Sequence, residues 1–324
     1  MMMRPTTPCG QPDLVSIVVP FFNEADGIQL FHQTLRPILD SQPQVRFEVI
    51  CVDDGSQDHT LEQLLALSGL DGRFRVIELS RNFGKEAALT AGIDMASGEA
   101  VIPIDADLQD PPELIAALLA EWRRGFDVVL ARRVDRTADS FLKRTTASLF
   151  YKVHNQISTI QVPQDVGDYR LMSRNAIEAL KQLPENQRFM KGLFAWIGFR
   201  STTIDYVRHT RASGKTKFSG WRLWNFAIDG ITSFSTAPLK VWTYIGGAGA
   251  VLSLCYASFI VLRTLILGVD VPGFASLLVA ILFLGSLQLI SIGVLGEYIG
   301  RIYLESKQRP TYIVRQRYGV ADES

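Results

Sequence analysis

The sequence predicts an α/β domain built on a largely parallel sheet, carried by a C-terminal membrane anchor. Short β-branched runs alternate with helical apolar spacing through the first half, the pattern of parallel sheets covered on both faces. Polar residues collect where those runs end, the edge at which such sheets bind ligands. The longest apolar stretches of the 324 residues all follow Pro238. Other classes fall away early. The 33 basic and 33 acidic side chains balance, so nothing global points to nucleic acid. Cys9, Cys51 and Cys255 are far apart and form no Cys-x-x-Cys pair, which argues against a zinc site or a disulfide framework. Met1 to Gln11 lacks the apolar core of a signal peptide, so the first domain is expected in the cytoplasm.

Val15 to Pro20 is the first strand, and Ile28, Phe31, Leu35 and Leu39 mark a helix over Asp26–Leu39. Phe47 to Val52 is the second strand; Asp58 then suits the N-cap of a helix through Leu61, Leu64 and Leu65. Phe74 to Leu79 is the third, followed by a helix to about Ser97. Ala100 to Ile104 is the fourth, and Asp127 to Ala131 the fifth after a helix over Leu114–Arg123. Phe22-Asn23-Glu24, Asp53-Asp54, Arg81-Asn82, Asp105-Ala106-Asp107 and Arg132-Arg133 end the five strands in turn, describing one polar rim. Two acids one residue apart at a strand end suit a hard divalent cation. They also suit ordinary loop chemistry, with Asp110 as the helix cap at Pro111. No Gly-rich dinucleotide fingerprint follows the first strand, and no Walker-type loop is present.

Val19–Glu24, Val52–Asp58, Arg81–Lys85 and Asp105–Pro112 (Val-Pro-Phe-Phe-Asn-Glu, Val-Asp-Asp-Gly-Ser-Gln-Asp, Arg-Asn-Phe-Gly-Lys and Asp-Ala-Asp-Leu-Gln-Asp-Pro-Pro) stand in that order. Together they resemble family 2 glycosyltransferases with the GT-A fold, a Rossmann-like, mostly parallel sheet. The membrane-bound polyprenyl-phosphate group is the most similar, including bactoprenol glucosyltransferases and dolichol-phosphate mannose synthases. The resemblance implies that Pro20, Phe22, Glu24, Asp54, Lys85 and Asp105 bind a nucleotide-sugar donor. It implies that Asp105, Asp107 and Gln109 hold Mg2+ or Mn2+, with Asp107 also counted as catalytic. An ionised Asp54 is an acceptor suited to a base N–H, whereas Asp53 suits either the site or its own turn. Where the family commonly has Tyr, this chain has Phe22, which keeps stacking and loses a phenol hydrogen bond.

Gln164 to Arg170 reads as a polar turn before Leu171-Met172. The family places a Gly-Asp-Tyr/Phe-Arg stretch beside the reacting centre, which makes Asp168 the candidate catalytic carboxylate; a salt bridge to Arg170 or to one of the phosphate-binding arginines is its structural alternative. Arg133, Arg144, Arg211 and Lys217 are the acceptor and phosphate candidates. Arg211 and Lys217 stand in a basic loop that reads as a solvated loop or a juxtamembrane patch on anionic lipids, and that the resemblance implies closes over the phosphates.

Ser219 to Ser235 mixes Trp221, Trp224 and Phe226 with polar residues, as an interfacial helix does. Val241–Leu262 and Phe274–Gly296 each reach the roughly 20 residues of a membrane-spanning helix. The expected division is a tail at 1–14, a cytoplasmic GT-A domain at 15–218 and an interfacial helix at 219–237. Transmembrane helices at 238–264 and 274–297 and a cytoplasmic tail at 298–324 follow. Lysines and arginines flank both ends of the pair and nearly avoid the turn, so both termini face the cytoplasm of a bacterial inner membrane. Arg309 to Arg315 reads as a strand adding to another subunit's sheet.

The expected activity is inverting transfer of one hexose, glucose from UDP-glucose before other donors, to undecaprenyl phosphate. GDP-mannose, UDP-GlcNAc, UDP-galactose and a UDP-aminoarabinose derivative are the alternative donors. The expected partners are donor, lipid phosphate, bilayer and a second copy of the chain, such as in a tetramer. A non-catalytic lipid-sugar binding or translocation protein is the rival, disfavoured by the intact Asp105, Asp107 and Gln109.

Overall fold

A computed structural model of the chain describes residues 13–134, 166–183, 185, 190–207, 237–267 and 273–319. Strands β1 (Asp13–Phe21), β2 (Val45–Asp53), β3 (Phe74–Leu79), β4 (Ala100–Pro103) and β5 (Val128–Arg133) lie where the β-branched runs place them. Helices α1 (Ile28–Asp40), α2 (Thr60–Leu70), α3 (Lys85–Met95) and α4 (Leu114–Arg123) connect them. Three further strands complete the sheet: β6 (Val166–Ser173), β7 (Ser201–Tyr206) and β8 (Val314–Tyr318). Short helices α5 (Arg174–Lys181) and α6 (Met190–Trp196) lie between β6 and β7. The eight strands run in the order β7-β5-β6-β4-β1-β2-β3-β8.

The sheet is mixed. Strand β1 pairs in parallel with β2 and β4, β2 with β3, and β5 with β7. Strand β6 runs antiparallel between β4 and β5, and β8 runs antiparallel along the outer side of β3. Alternate residues of β1 feed two cores, as a period of two requires. Val15, Ile17 and Val19 face Phe31 and Leu35 of α1, Leu64 of α2 and Leu118 of α4. Val18 faces the other way, with Ala88, Leu89 and Ile93 of α3 and Ile177 of α5. Each such side chain fully removed from water contributes about 1.5–3 kcal/mol, so this doubly covered centre fixes β1, β2 and β4. Helix α3 approaches β1 so closely that a Cβ on Gly92 would meet the Val18 side chain at 2.2 Å.

Three expectations are corrected. The segment expected as a polar turn is strand from Val166, because Tyr169, Leu171 and Met172 are buried and its backbone bridges β4 and β5. Asp110 is not the residue at the N-cap of α4: that helix starts at Leu114 with Glu113 in the cap position, after two prolines that lack N–H donors. The Asp110 carboxylate instead accepts the Tyr206 hydroxyl at 2.5 Å. The C-terminal strand, expected on another subunit, pairs with β3 of its own chain.

Beyond β7, helices α7 (Ala237–Leu267) and α8 (Phe274–Ser306) pack on one another. Among the described residues one stretch, Phe283–Ser306 within α8, is long and apolar enough to cross a membrane. Tyr244–Ser253 within α7 is a further apolar helical stretch among the described residues. The expected interfacial helix, except Ala237, lies outside the described residues, as do Arg144, Arg211 and Lys217.

Candidate active site

The ends of β1, β2, β3, β4 and β5 and the start of β6 share one edge of the sheet, and the loops there are laced together. Asn23, after β1, has φ +52, a conformation that Asn tolerates better than most side chains. Its backbone N–H donates to Ser56 Oγ at 3.0 Å, and its Oδ1 accepts from Gln57 N at 2.8 Å. Glu24 N donates to Thr60 Oγ1 at 3.0 Å, and Asp58 accepts from Ala25 N and Thr60 N. Phe22, the residue after β1, is 36% exposed.

The paired acids after β2 have different tasks. Asp53 Oδ2 accepts Ser56 N at 3.3 Å within its own turn. Asp54 reaches across to the loop after β3, where its two oxygens accept Phe83 N at 2.7 Å and Gly84 N at 2.9 Å. Burial raises the Asp54 carboxyl above its ordinary value, while the two amides oppose that shift. Both Asp54 oxygens are thus engaged by backbone amides. Asp54 therefore sets the start of α3, because Gly84 is its N-cap with φ +99 and Lys85 its first residue.

Lys85 is out of place by local rules, since a cation at a helix N-terminus faces the positive end of the macrodipole. Its environment explains it. The Nζ lies 2.7 Å and 2.9 Å from the two oxygens of Asp105 and 2.9 Å from Asp168 Oδ2. The antiparallel register prepares this meeting. Val101 pairs with Met172, and continuing four residues past that pair brings Asp105 opposite Asp168. Burial acts to lower the Lys85 ammonium, but the two carboxylates outweigh it and hold the group well above its ordinary value.

The loop carrying Asp105 and Asp107 is held from below. Leu108 sits at φ +54, a strained setting for a bulky residue, between Asp107 and Gln109. Asp107 Oδ1 accepts Gln109 N at 3.2 Å. Tyr169 of β6 donates to the Pro111 carbonyl at 3.0 Å, beside the Tyr206–Asp110 bond, with the two rings edge to face at 6.3 Å. Arg170 does not make the alternative bridge to the Asp168 side chain. Its Nη2 donates to the Gly167 carbonyl at 2.6 Å, and its guanidinium lies 4.0 Å from the Phe194 ring centre. Burial brings Arg170 down to about 10.

Pro20, Phe22, Glu24, Asp54, Lys85, Asp105, Asp107, Gln109 and Asp168 all lie on strand ends, loops or, for Lys85, the first residue of α3 at this one edge. Arg133 ends β5 at the same edge, and its Nε is buried without a partner among the described residues. The two tyrosines that grip the Asp110–Pro111 turn escape sequence reasoning. The alternation Thr202, Ile204, Tyr206 is the one signal that marks β7 and its last residue.

The donor set fits a hard cation in kind. Asp105 and Asp107 offer only oxygens, and magnesium commonly takes one or two carboxylates and completes its shell with phosphates and water. Among the described residues no group of three or more His, Cys, Asp or Glu side chains forms a metal cage.

Residues 16–181 match the Glycosyl transferase family 2, and residues 237–302 match the GtrB C-terminal hairpin. An uncharacterized glycosyltransferase of Synechocystis sp. is 54% identical, over 94% of this chain and 96% of its own. The bactoprenol glucosyl transferase of Shigella phage SfV is 52% identical, over 93% of this chain and 98% of its own. A prophage bactoprenol glucosyl transferase homolog of Escherichia coli is 50% identical, again over 93% and 98%.

Proposed function

The chain belongs to glycosyl transferase family 2 and is a glycosyltransferase, and we propose that it moves one glucose from UDP-glucose to a polyprenyl phosphate with inversion at the anomeric carbon. The observation that carries this reading is the meeting of Asp105 and Asp168 at Lys85, on the strand-end edge where Phe22 and Asp54 also stand. The names of the near-full-length relatives supply the sugar and the lipid.

A polyprenyl phosphate is already largely ionised at neutral pH, because a phosphate monoester's second pKa is about 6. The acceptor oxygen therefore needs placement and charge compensation more than a strong base. Phe22 stacks on the uracil, and Glu24 and Asp54 flank the nucleotide. Lys85 faces the diphosphate, while Arg133 meets the acceptor phosphate together with Arg144, Arg211 and Lys217. Asp168 orients the acceptor or takes its last proton as the oxygen attacks C1 in line. Asp105, Asp107 and Gln109 would hold a magnesium or manganese ion, which would supply positive charge to the leaving diphosphate. Helices α7 and α8 form a two-span anchor in the bacterial inner membrane, with the catalytic domain and both termini cytoplasmic. Homo-oligomerisation, such as a tetramer, belongs to the same reading and is tested by light scattering in detergent.

The decisive assay offers the full-length membrane protein radiolabelled UDP-glucose, GDP-mannose, UDP-GlcNAc, UDP-galactose and a UDP-aminoarabinose derivative, with undecaprenyl phosphate as acceptor. Label is expected in solvent-extractable lipid from UDP-glucose, and is lost with EDTA or Asp107→Ala. Label from another sugar alone would replace glucose as the donor assignment. No transfer from any donor overturns the reading, and transfer indifferent to EDTA removes its metal.

A further inference from the structure

The position of Lys85 carries a consequence for the order in which the site fills. Asp105 is the carboxylate expected to ligate the metal, yet both its oxygens lie within 2.9 Å of one ammonium nitrogen. The same ammonium holds Asp168 at 2.9 Å. Charge-assisted hydrogen bonds of this length are among the stronger polar contacts in a protein. A divalent ion approaching Asp105 meets a positive charge already in place, so metal and ammonium compete for the same oxygens. Without the ammonium, Asp105 and Asp168 are like charges facing one another across adjacent elements, a pair that attracts any cation.

We propose that Lys85 is the internal counter-cation of the Asp105–Asp168 pair, displaced from Asp105 when a nucleoside diphosphate supplies it with new oxygen partners. This rests on the donor and metal reading above and goes further, because it makes metal and nucleotide binding mutually dependent. Metal alone must compete with Lys85 for Asp105. Metal with a nucleoside diphosphate does not, because the diphosphate oxygens accept the ammonium. By linkage the nucleotide strengthens metal binding by the same factor as metal strengthens nucleotide binding. The two carboxylates explain why a lysine is kept at the unfavourable first position of α3, where Asp54 fixes the backbone through Phe83 N and Gly84 N. When the ammonium leaves, Asp168 also loses its contact with Lys85, so donor binding changes the surroundings of the group proposed to meet the second substrate.

The test is direct titration of Mn2+ by calorimetry into the full-length protein in detergent, with and without UDP, for wild type, Lys85→Gln and Lys85→Arg. Wild type is expected to bind Mn2+ on the order of tenfold more tightly with UDP than without it. Lys85→Gln is expected to bind Mn2+ alone more tightly than wild type, by a similar factor, and to lose most of the dependence on UDP. Lys85→Arg keeps the charge and is expected to keep the weak metal binding of wild type. Circular dichroism checks the fold of each variant, and if Lys85→Gln does not fold, Lys85→Met takes its place. Wild type binding Mn2+ equally with and without UDP overturns the proposal, as does Lys85→Gln binding Mn2+ alone no better than wild type. Absence of Mn2+ binding by wild type even with UDP is a different failure, that of the metal reading itself.

Discussion

At the residue scale, one glycine decides whether the site's loops meet. Gly55 has φ +67, and a Cβ there would stand 2.5 Å from the Arg81 carbonyl carbon and 2.7 Å from Asn82 N. Those contacts are backbone, so neither loop can yield without carrying Asp54 away from Phe83 and Gly84. Gly55→Ala is therefore expected to destabilise by about 1–3 kcal/mol and to raise the donor KM several-fold. Denaturant unfolding and a donor titration check both, and an unchanged KM would show that the two loops move independently. Asp71 lies away from the site, where its carboxylate meets Arg73 Nη2 at 2.7 Å while the same guanidinium reaches Asp40 at 2.8 Å. The bond from Arg73, against some desolvation, holds Asp71 at about 2, below its ordinary 3.8. A depressed carboxyl contributes stability above its unfolded value and loses it as pH falls toward the folded one. The contribution is about 1 kcal/mol after solvent screening. The stability gap between wild type and Asp71→Asn is expected to narrow as pH falls from about 5 to about 2, with activity at neutral pH unaffected. A gap independent of pH would remove this account of the pair.

At the element scale, the loop bearing Asp105 and Asp107 depends on strands that lie far away in sequence. Tyr206 ends β7 and donates to the buried Asp110 carboxylate, and Tyr169 in β6 holds the Pro111 carbonyl. Tyr206→Phe is expected to lower stability by about 1–3 kcal/mol, since it removes a donor from a buried carboxylate. It should also reduce kcat/KM, because the strained Leu108 turn is released two residues earlier. Stability loss with full activity would confine Tyr206 to the fold. The first five strands and their helices are legible in the sequence because each is a short β-branched run followed by spaced leucines and isoleucines. The later strands are not. Strand β6 carries Gly167, Asp168 and Arg170, which read as turn chemistry until two neighbouring strands satisfy its backbone. Strand β7 alternates, but with Ser201, Thr203 and Asp205 on its exposed side it offers only three apolar or half-apolar residues. The acids of the site are legible as a rim. Their pairing through Lys85 is not, because it depends on the antiparallel register of β4 and β6, which no local pattern announces.

At the scale of the whole molecule, the chain leaves the sheet at one outer strand, β7, and returns to the other, β8, with the two long helices between. The return is specific. Ser80 N donates to the Ile313 carbonyl at 2.9 Å, and Arg315 and Tyr318 meet the two oxygens of the buried Glu78 at 2.9 and 3.0 Å. Tyr312 donates to Asp94 of α3 at 2.8 Å. The tail therefore grips both β3 and the helix that begins with Lys85, and the sequence pattern of the tail shows a strand without showing which edge receives it. An uncovered β3 would present unpaired backbone groups and the Glu78 carboxylate to solvent. Deleting the residues after Arg309 is expected to speed hydrogen exchange across Phe74–Leu79 before it affects β1 or β4. It should also lower the unfolding midpoint and raise the donor KM, because the loop from Ser80 to Lys85 continues from β3. If exchange in β3 and the donor KM both stay at wild-type values, the pairing of β8 with its own chain is not what holds that edge, and a neighbouring copy becomes the better candidate for the strand.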